Sequence, residues 1–283
     1  MTHQDKIAVV TGASSGVGFQ TALGLARDGW RVIALGRNEG RMAASAKAIA
    51  DAAPDARVDW IRADLSVMAE MREAARQTGE LVGHIDVLLN NAGQILGEHH
   101  VTVDGLEQTF AGNVLAPFVL TGELLPLLRK AARPHVITTA SIGHTYIEDM
   151  FWDDLQFTRG YNGGAAYLQS KLANILFTRE LARRHPDVVS SAIHPGTVDS
   201  NFTDTADDVT REFFAGASER GELVTPAQAA DTLLWLASDL ENALPSGGYF
   251  SERQRIEPSA SAQDPASAER LWNICEELTG TAY

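Results

Sequence analysis

Cysteine is nearly absent from the chain: Cys275 is the single one among 283 residues. An intrachain disulfide is therefore excluded, and the helix-like surroundings of Cys275 suit a small buried side chain better than a reactive thiol. Basic residues are also in short supply, 23 Lys+Arg against 37 Asp+Glu, for a formal charge of −14 at pH 7. That balance repels phosphate backbones and anionic lipid surfaces, so nucleic acid is not an expected partner. No uncharged apolar run approaches the roughly 18 residues that span a bilayer. Residues 1–6 (MTHQDK) enter a strand-like run without the basic start and apolar stretch of a signal peptide, so a cytoplasmic protein without a membrane anchor is expected. Linkers rich in Pro, Gly or Ser and repeats of 20 to 50 residues are missing too, which predicts one domain over 1–283. With 45% hydrophobic and 21% charged residues, the composition supports a sizeable core.

What the chain does have is an alternation of period. Residues 6–11 (KIAVVT) form a β-branched run that ends in a Gly/Ser cluster, and 19–28 place small and apolar residues at helical spacing. Strands are predicted again at 31–35, 58–62, 86–90 and 135–140, with helices at 41–50, 67–82 and 104–130. Strands at 188–194 and 248–251 follow, separated by helices at 165–184 and 226–238. The strand runs are nearly continuous in apolar character, as in a parallel sheet covered on both faces. The pattern predicts an α/β fold: a single doubly wound Rossmann-type domain with a mostly parallel, seven-stranded sheet.

The first strand hands over to the first helix through Thr11-Gly12-Ala13-Ser14-Ser15-Gly16-Val17-Gly18. Glycines there allow a tight turn and close approach of backbone to a pyrophosphate, while the helix N-terminus offers free N–H groups. The spacing is G-x-x-x-G-x-G in the strand-loop-helix context that a dinucleotide site requires. At the end of the second strand a carboxylate would bind the ribose 2′-hydroxyl of NAD and an arginine the 2′-phosphate of NADP. The sequence reads Ala34-Leu35-Gly36-Arg37-Asn38, so NADP(H) is favoured over NAD(H).

Together these residues resemble the short-chain dehydrogenase/reductases over nearly the whole chain. The family's adenine-pocket pair is matched by Asp64-Leu65, its Asn-Asn-Ala-Gly motif by Asn90-Asn91-Ala92-Gly93, and its turn beside the nicotinamide by Pro195-Gly196. The resemblance implies cofactor contacts from Gly12, Ser14, Ser15, Gly16, Val17 and Gly18, from Arg37, Asp64 and Leu65, and from Asn91, Ala92 and Gly93. It implies others from Pro195, Gly196, Val198 and Ser200, and from Tyr167 and Lys171. Ser200 stands where the family often has threonine, which keeps the hydroxyl. Ser15 stands where many NADP-dependent members carry a basic residue, which leaves Arg37 as the one phosphate ligand that can be named.

Tyr167 and Lys171 are four apart in a segment of helical period, so phenol and ammonium share a face. A free phenol titrates near 10. An adjacent Lys charge and a positive nicotinamide ring would stabilise its phenolate, making it an acid/base for a carbonyl or alcohol oxygen while hydride moves. The family's catalytic serine is matched by Ser141, directly after the strand at 135–140, and its helix asparagine, which holds a proton-relaying water, by Asn113. Thr138 and Thr139 read as ladder or cofactor-contact residues. His99, His100, His144 and His194 lack metal-ligand spacing and read as structural or surface groups, so no metal is expected.

Ser141 and Tyr167 lie 26 positions apart, more than is usual in the family. With Ser170-Lys171-Leu172-Ala173-Asn174, Gly248-Tyr249-Phe250 and Leu271-Trp272, the insert makes the chain look like the retinol-dehydrogenase-like branch, which also holds the WW-domain-containing oxidoreductases. A substrate-loop insert is expected near 143–164, a lid near 200–222 and a C-terminal extension over 251–283. Ile147, Met150, Phe151 and Trp152 of the insert, with Phe202, Phe213 and Phe214 of the lid, are expected to wall an apolar pocket for a bulky alcohol, ketone or aldehyde. Two functions remain open: an NADP(H)-dependent alcohol dehydrogenase or carbonyl reductase, and a non-catalytic NADP(H)-binding redox sensor. Family members are commonly homodimers or homotetramers built through the helices around Asn113 and Tyr167, an assembly that the C-terminal extension could block.

Overall fold

The computed structural model describes residues 6–283. The reading of the N-terminus falls on residues 1–5, outside the described residues, apart from Lys6. Short apolar runs become strands and the longer amphipathic stretches between them become helices: β1 (Ile7–Thr11), α1 (Gly16–Arg27), β2 (Arg31–Gly36), α2 (Glu39–Ala52), β3 (Arg57–Arg62), α3 (Met68–Leu81) and β4 (Val87–Asn90). The second half holds α4 (Gln108–Phe110), α5 (Ala116–Leu128), β5 (His135–Thr139), α6 (Gly163–Arg184), β6 (Val189–Ile193), β7 (Thr197–Val198), α7 (Asp208–Glu219), β8 (Leu223–Val224), α8 (Pro226–Ser238), β9 (Gly248–Ser251), β10 (Gln254–Ile256) and α9 (Pro265–Thr279).

The main sheet runs β10-β9-β6-β5-β4-β1-β2-β3, and every pair is parallel except β10 with β9. It has eight strands where the sequence predicts seven. The extra one, Gln-Arg-Ile, is a polar edge strand reached through a turn in which Glu252 and Arg253 take positive φ, so it offers no apolar alternation to read. Two apolar layers flank the sheet. One includes Met71, Phe118, Leu172 and Leu271 from α3, α5, α6 and α9; the other includes Leu25, Ile49 and Leu233 from α1, α2 and α8.

The helix predicted over 104–130 is a composite. Glu107 caps α4 by accepting N–H bonds from Thr109 and Phe110, a π-helical turn spans Ala111–Leu115, and α5 continues. Pro117 has no N–H to give the carbonyl four residues back, that of Asn113, and the ladder widens there. The stretch Gln108–Leu128 is apolar and long enough to cross a membrane by length, yet 78% of its most apolar window is buried inside the protein.

Behind α5 and α6 lies α9. Trp272 meets Phe118 edge-on with ring centroids 5.0 Å apart and stacks on Phe177 at 6.0 Å, and the Tyr283 ring lies 5.0 Å from Phe118. Cys275 is buried in this layer, and desolvation pushes its thiol above the usual range.

Candidate active site

From β1 the chain winds outward through β2 and β3, and from β4 it winds the other way, so the β1/β4 boundary is a topological switch point at the carboxyl edge of the sheet. A cavity of about 740 Å³ opens there. Thr11 fixes its floor: the Thr11 hydroxyl accepts the N–H groups of Asn91 and Ala92, both at 2.9 Å, and the Asn91 amide donates to the Thr11 carbonyl at 3.0 Å. The Asn91 side chain thus braces the glycine loop instead of reaching outward. A Cβ on Gly18 would lie 2.3 Å from the Gly12 carbonyl oxygen, so only glycine lets α1 start this close to the loop. Gly12, Ser14, Ser15, Gly16 and Val17 line the cavity, and Ser15 is the N-cap of α1 with its hydroxyl unspent on the helix.

At the far end, Arg37 stands at the exit of β2 with Nη1 3.7 Å from Asp64 Oδ2, and Leu65 lines the wall beside it. Asp64 is held by Ser66, whose N–H and hydroxyl both donate to Oδ1. The structure adds Arg41, from the first turn of α2, to the same lining. Sequence reasoning passed over Arg41 as a helix residue; its spacing of four from Arg37 was the available signal.

On α6, Lys171 donates from Nζ to the Thr139 carbonyl at 3.0 Å, and its ammonium stands 5.4 Å from the centroid of the Tyr167 ring. Burial lowers Lys171 to about 8 and raises Tyr167 to about 12, the latter partly offset by a hydrogen bond with Ser141. The sequence expectation was a phenolate stabilised by the neighbouring ammonium and a positive nicotinamide ring; in the chain alone, desolvation is the largest influence on the phenol. Ser141 is extended and caps a 3₁₀ turn, its Oγ accepting the Gly143 N–H at 3.0 Å.

Asn113 sits in the π turn, fully buried, and its amide is engaged with protein: Oδ1 accepts the Gln94 N–H at 2.9 Å, and Nδ2 donates to the Gln94 carbonyl at 2.8 Å and to Ser170 Oγ at 3.0 Å. Its side chain clamps the strand-to-helix segment after Gly93, and Oδ1 keeps a second acceptor site beyond the Gln94 bond. Gly93 is close enough that a Cβ there would touch Lys171 Nζ at 3.5 Å.

Pro195, Gly196, Val198 and Ser200 close the opposite wall. Gly196 has φ +89, and a Cβ would lie 2.7 Å from Val224, which β8 brings against β7. The segment beyond folds over the cleft and is latched there: the Thr205 hydroxyl donates to the Ile95 carbonyl at 2.8 Å, and the Gly97 N–H donates to the Thr205 carbonyl at 2.7 Å. Phe202 meets Tyr167 edge-on at 5.3 Å, and Phe213 and Phe214 of α7 line the same space.

The aromatic residues expected from the insert behave differently. Met150 is in the core, Phe151 packs on Phe157 at 5.1 Å, and Trp152 lies under the Arg270 guanidinium at 4.4 Å with its N–H on Asp149. Ile147 packs against the core as well. From 143–164 the wall receives Gly143, Tyr146 and Gly164 instead. His99 bonds the Gln156 carbonyl at the surface, whereas His194 lines the cleft.

The cavity fits a dinucleotide on its own evidence. It joins a glycine cradle at a helix N-terminus to two arginines at one end and, at the other, the half-buried Tyr167 beside the buried Lys171, and the buried Thr139 hydroxyl within it has no protein partner. Comparison with known proteins agrees. The family model described as short chain dehydrogenase matches residues 6–210. Retinol dehydrogenase 13 of Mus musculus is 36% identical, the match covering 99% of this chain and 86% of that protein. A Streptomyces sp. (strain C5) protein named for daunorubicin C-13 ketoreduction, DnrU, is 35% identical over 97% of this chain and 93% of its own. Among solved structures, the Pseudomonas aeruginosa RhlG/NADP active-site complex superposes with a TM-score of 0.69 at 27% identity, covering 91% of this chain and 96% of that one.

Proposed function

The chain belongs to the short-chain dehydrogenase family, in its retinol-dehydrogenase-like branch of NAD(P)-dependent alcohol and carbonyl oxidoreductases, and on that premise we propose that it moves hydride between NADP(H) and a bulky, apolar alcohol or carbonyl. The observation that carries this reading is that Tyr167, with the Lys171 ammonium 5.4 Å from its ring centroid, and Ser141 line one cleft together with Phe202, Phe213 and Phe214. A redox sensor has no use for a phenol and an ammonium set side by side in the cofactor cleft.

Bound NADPH would supply the hydride. Tyr167, protonated at neutral pH, would donate its phenolic proton to the carbonyl oxygen in reduction and be left as phenolate; in oxidation it must first lose that proton, and the phenolate then takes the proton of the alcohol. Ser141 has one lone pair engaged by the Gly143 N–H, which leaves its own hydrogen free to donate to the reacting oxygen. Lys171 is fixed by Thr139 where the nicotinamide ribose would lie, and Asn113 holds the adjoining 93–95 backbone in place. At the other end, Arg37 and Arg41 are the donors for a 2′-phosphate, which a planar guanidinium matches well.

Support for an apolar substrate comes from the wall that Tyr146, Leu168, Val209 and the three phenylalanines make around Tyr167. A cytoplasmic location belongs to the same proposal and rests on the −14 charge, which disfavours anionic membranes. Assembly through α5 and α6 would have to displace α9, so the proposal treats that face as closed. The test is turnover of retinal, steroid ketones and small polar aldehydes with NADPH and with NADH. The reading expects reduction of the apolar members with preference for NADPH; turnover of small polar carbonyls alone, or with NADH alone, would overturn it.

A further inference from the structure

The 3₁₀ turn that carries Ser141 is gripped by two histidines that the proposed chemistry does not use. His144 is fully buried, and its ring bridges two backbone groups: Nδ1 lies 2.7 Å from the Ser141 carbonyl oxygen, and Nε2 accepts the Ser259 N–H at 3.0 Å. A ring nitrogen that accepts an N–H carries no proton, so His144 is neutral with its hydrogen on Nδ1, donated to Ser141. His194 is built the other way. Its Nδ1 accepts the Ile142 N–H at 3.2 Å, which places its hydrogen on Nε2. Successive backbone groups around Ser141 are thus held by two neutral imidazoles of opposite tautomer.

Both histidines are tied to the chain beyond residue 248. Ser259 belongs to the C-terminal extension, and its hydroxyl accepts the Ala262 N–H, which fixes the turn that presents the Ser259 N–H. The His194 N–H donates to the Phe250 carbonyl at 2.8 Å, and Ser251 donates from its hydroxyl to the His194 carbonyl. Tyr249 of β9 packs edge-on against His144, ring centroids 5.2 Å apart. Burial keeps both imidazoles below their ordinary pKa, in line with the neutral forms that the bonds demand.

We propose that His144 and His194 are positioning residues for Ser141, and that through them the C-terminal extension sets where the serine hydroxyl points. The proposal rests on Ser141 holding the reacting oxygen. A protonated or missing imidazole leaves the Ser141 carbonyl or the Ile142 N–H without its partner, and the turn is free to shift. Displacement of a reacting group by even about 1 Å costs up to 10²-fold in rate.

Two measurements on the full chain test it. Long-range ¹H–¹⁵N correlation at pH 7, assigned with His144→Gln and His194→Gln, reads the tautomers without substrate: Nδ1–H is expected for His144 and Nε2–H for His194. The opposite tautomer in either ring, or a cation, overturns the proposal. The second is a cycle with Ser141→Ala, using NADPH and whichever carbonyl of the panel turns over fastest. His144→Phe is expected to lower kcat about tenfold with KM for NADPH unchanged, His144→Gln to restore part of it by keeping a donor and an acceptor, and His144→Phe to change kcat less than about twofold once Ser141 is alanine. Equal losses in both backgrounds would make His144 merely structural and end the proposal. If His144→Phe does not fold, the tautomers decide. Full activity in Ser141→Ala would remove the premise, and a wild-type chain that turns over no carbonyl would overturn the proposed reaction; a wrong tautomer overturns this inference alone.

Discussion

Lys171 and Tyr167 lie on one face of α6, and the ammonium stands 5.4 Å from the phenol ring centroid while it bonds the Thr139 carbonyl and not the phenol oxygen. Burial disfavours the charged form of each, lowering Lys171 to about 8 and raising Tyr167 to about 12, yet at neutral pH Lys171 stays protonated. The chain therefore keeps a buried cation at neutral pH against its own stability. Because the folded pKa lies below the ordinary 10.5, the unfolded chain binds the proton more tightly, and the ammonium opposes folding at all pH values below about 8. Lys171→Met should accordingly unfold at higher urea at pH 7, by up to about 3 kcal/mol, while losing turnover. A less stable Lys171→Met protein would mean that the Thr139 bond outweighs desolvation.

Arg37 and Arg41 should set the choice of cofactor. Hydrogen bonds to charged groups are worth about 1.5–3 kcal/mol each, which is roughly 10- to 100-fold in affinity. Arg37→Ala and Arg41→Ala are each expected to weaken NADPH by that factor and to leave NADH within about twofold, read by fluorescence titration. An equal effect on both cofactors would place the arginines elsewhere than at the 2′-phosphate.

His135 and His194 make stability depend on pH. Burial lowers them to about 3 and about 4 from 6.5. Above pH 6.5 both are neutral in either state and contribute no slope. Below it the unfolded chain takes up protons that the folded chain refuses, so stability falls as pH drops, by up to about 1.4 kcal/mol per unit for each histidine. Urea unfolding at pH 7 and pH 5 reads this, and His135→Phe should reduce the slope without abolishing it, because burial lowers His144 and His185 as well. A stability that is flat between pH 7 and pH 5 would contradict the burial of both rings.

Trp272 anchors the C-terminal helix between Phe118, Phe177 and Tyr283. Trp272→Ala should cost about 3–5 kcal/mol by urea unfolding. Gel filtration of the wild type should show a monomer if α9 closes the α5/α6 face, and a dimer that survives Trp272→Ala would show that assembly uses another surface.

The parts of this molecule that were legible in sequence are those whose signal is local. The apolar runs of β1, β2, β4 and β5 could be read because both faces of a parallel strand are buried, and Gly12 to Gly18 because a tight turn at a helix start leaves few choices of residue. Tyr167 and Lys171 were legible through helical spacing only once the glycine loop and the family resemblance supplied the cofactor beside them. What escaped depended on direction or on distance along the chain. Periodicity marks Met150, Phe151 and Trp152 as apolar, but it does not say that they turn to the core, to Phe157 and to Arg270 instead of the cleft. His144 reads as an ordinary histidine until Ser259, 115 positions later, is brought against it. The β10 edge strand has too little apolar character to be seen, and the phenol's raised pKa is a matter of burial that no motif records.

Tyr167 is the group on which the proposed reaction turns, as the one that moves the substrate proton. Its direct test is kcat for NADPH-dependent reduction of an apolar carbonyl such as retinal by the wild type and by Tyr167→Phe, with NADPH affinity measured on both. The expected result is a loss of about 10²- to 10⁴-fold in kcat with NADPH affinity kept within a few fold, the range for removing a general acid. A Tyr167→Phe protein that binds NADPH and reduces the carbonyl at the wild-type rate would contradict it.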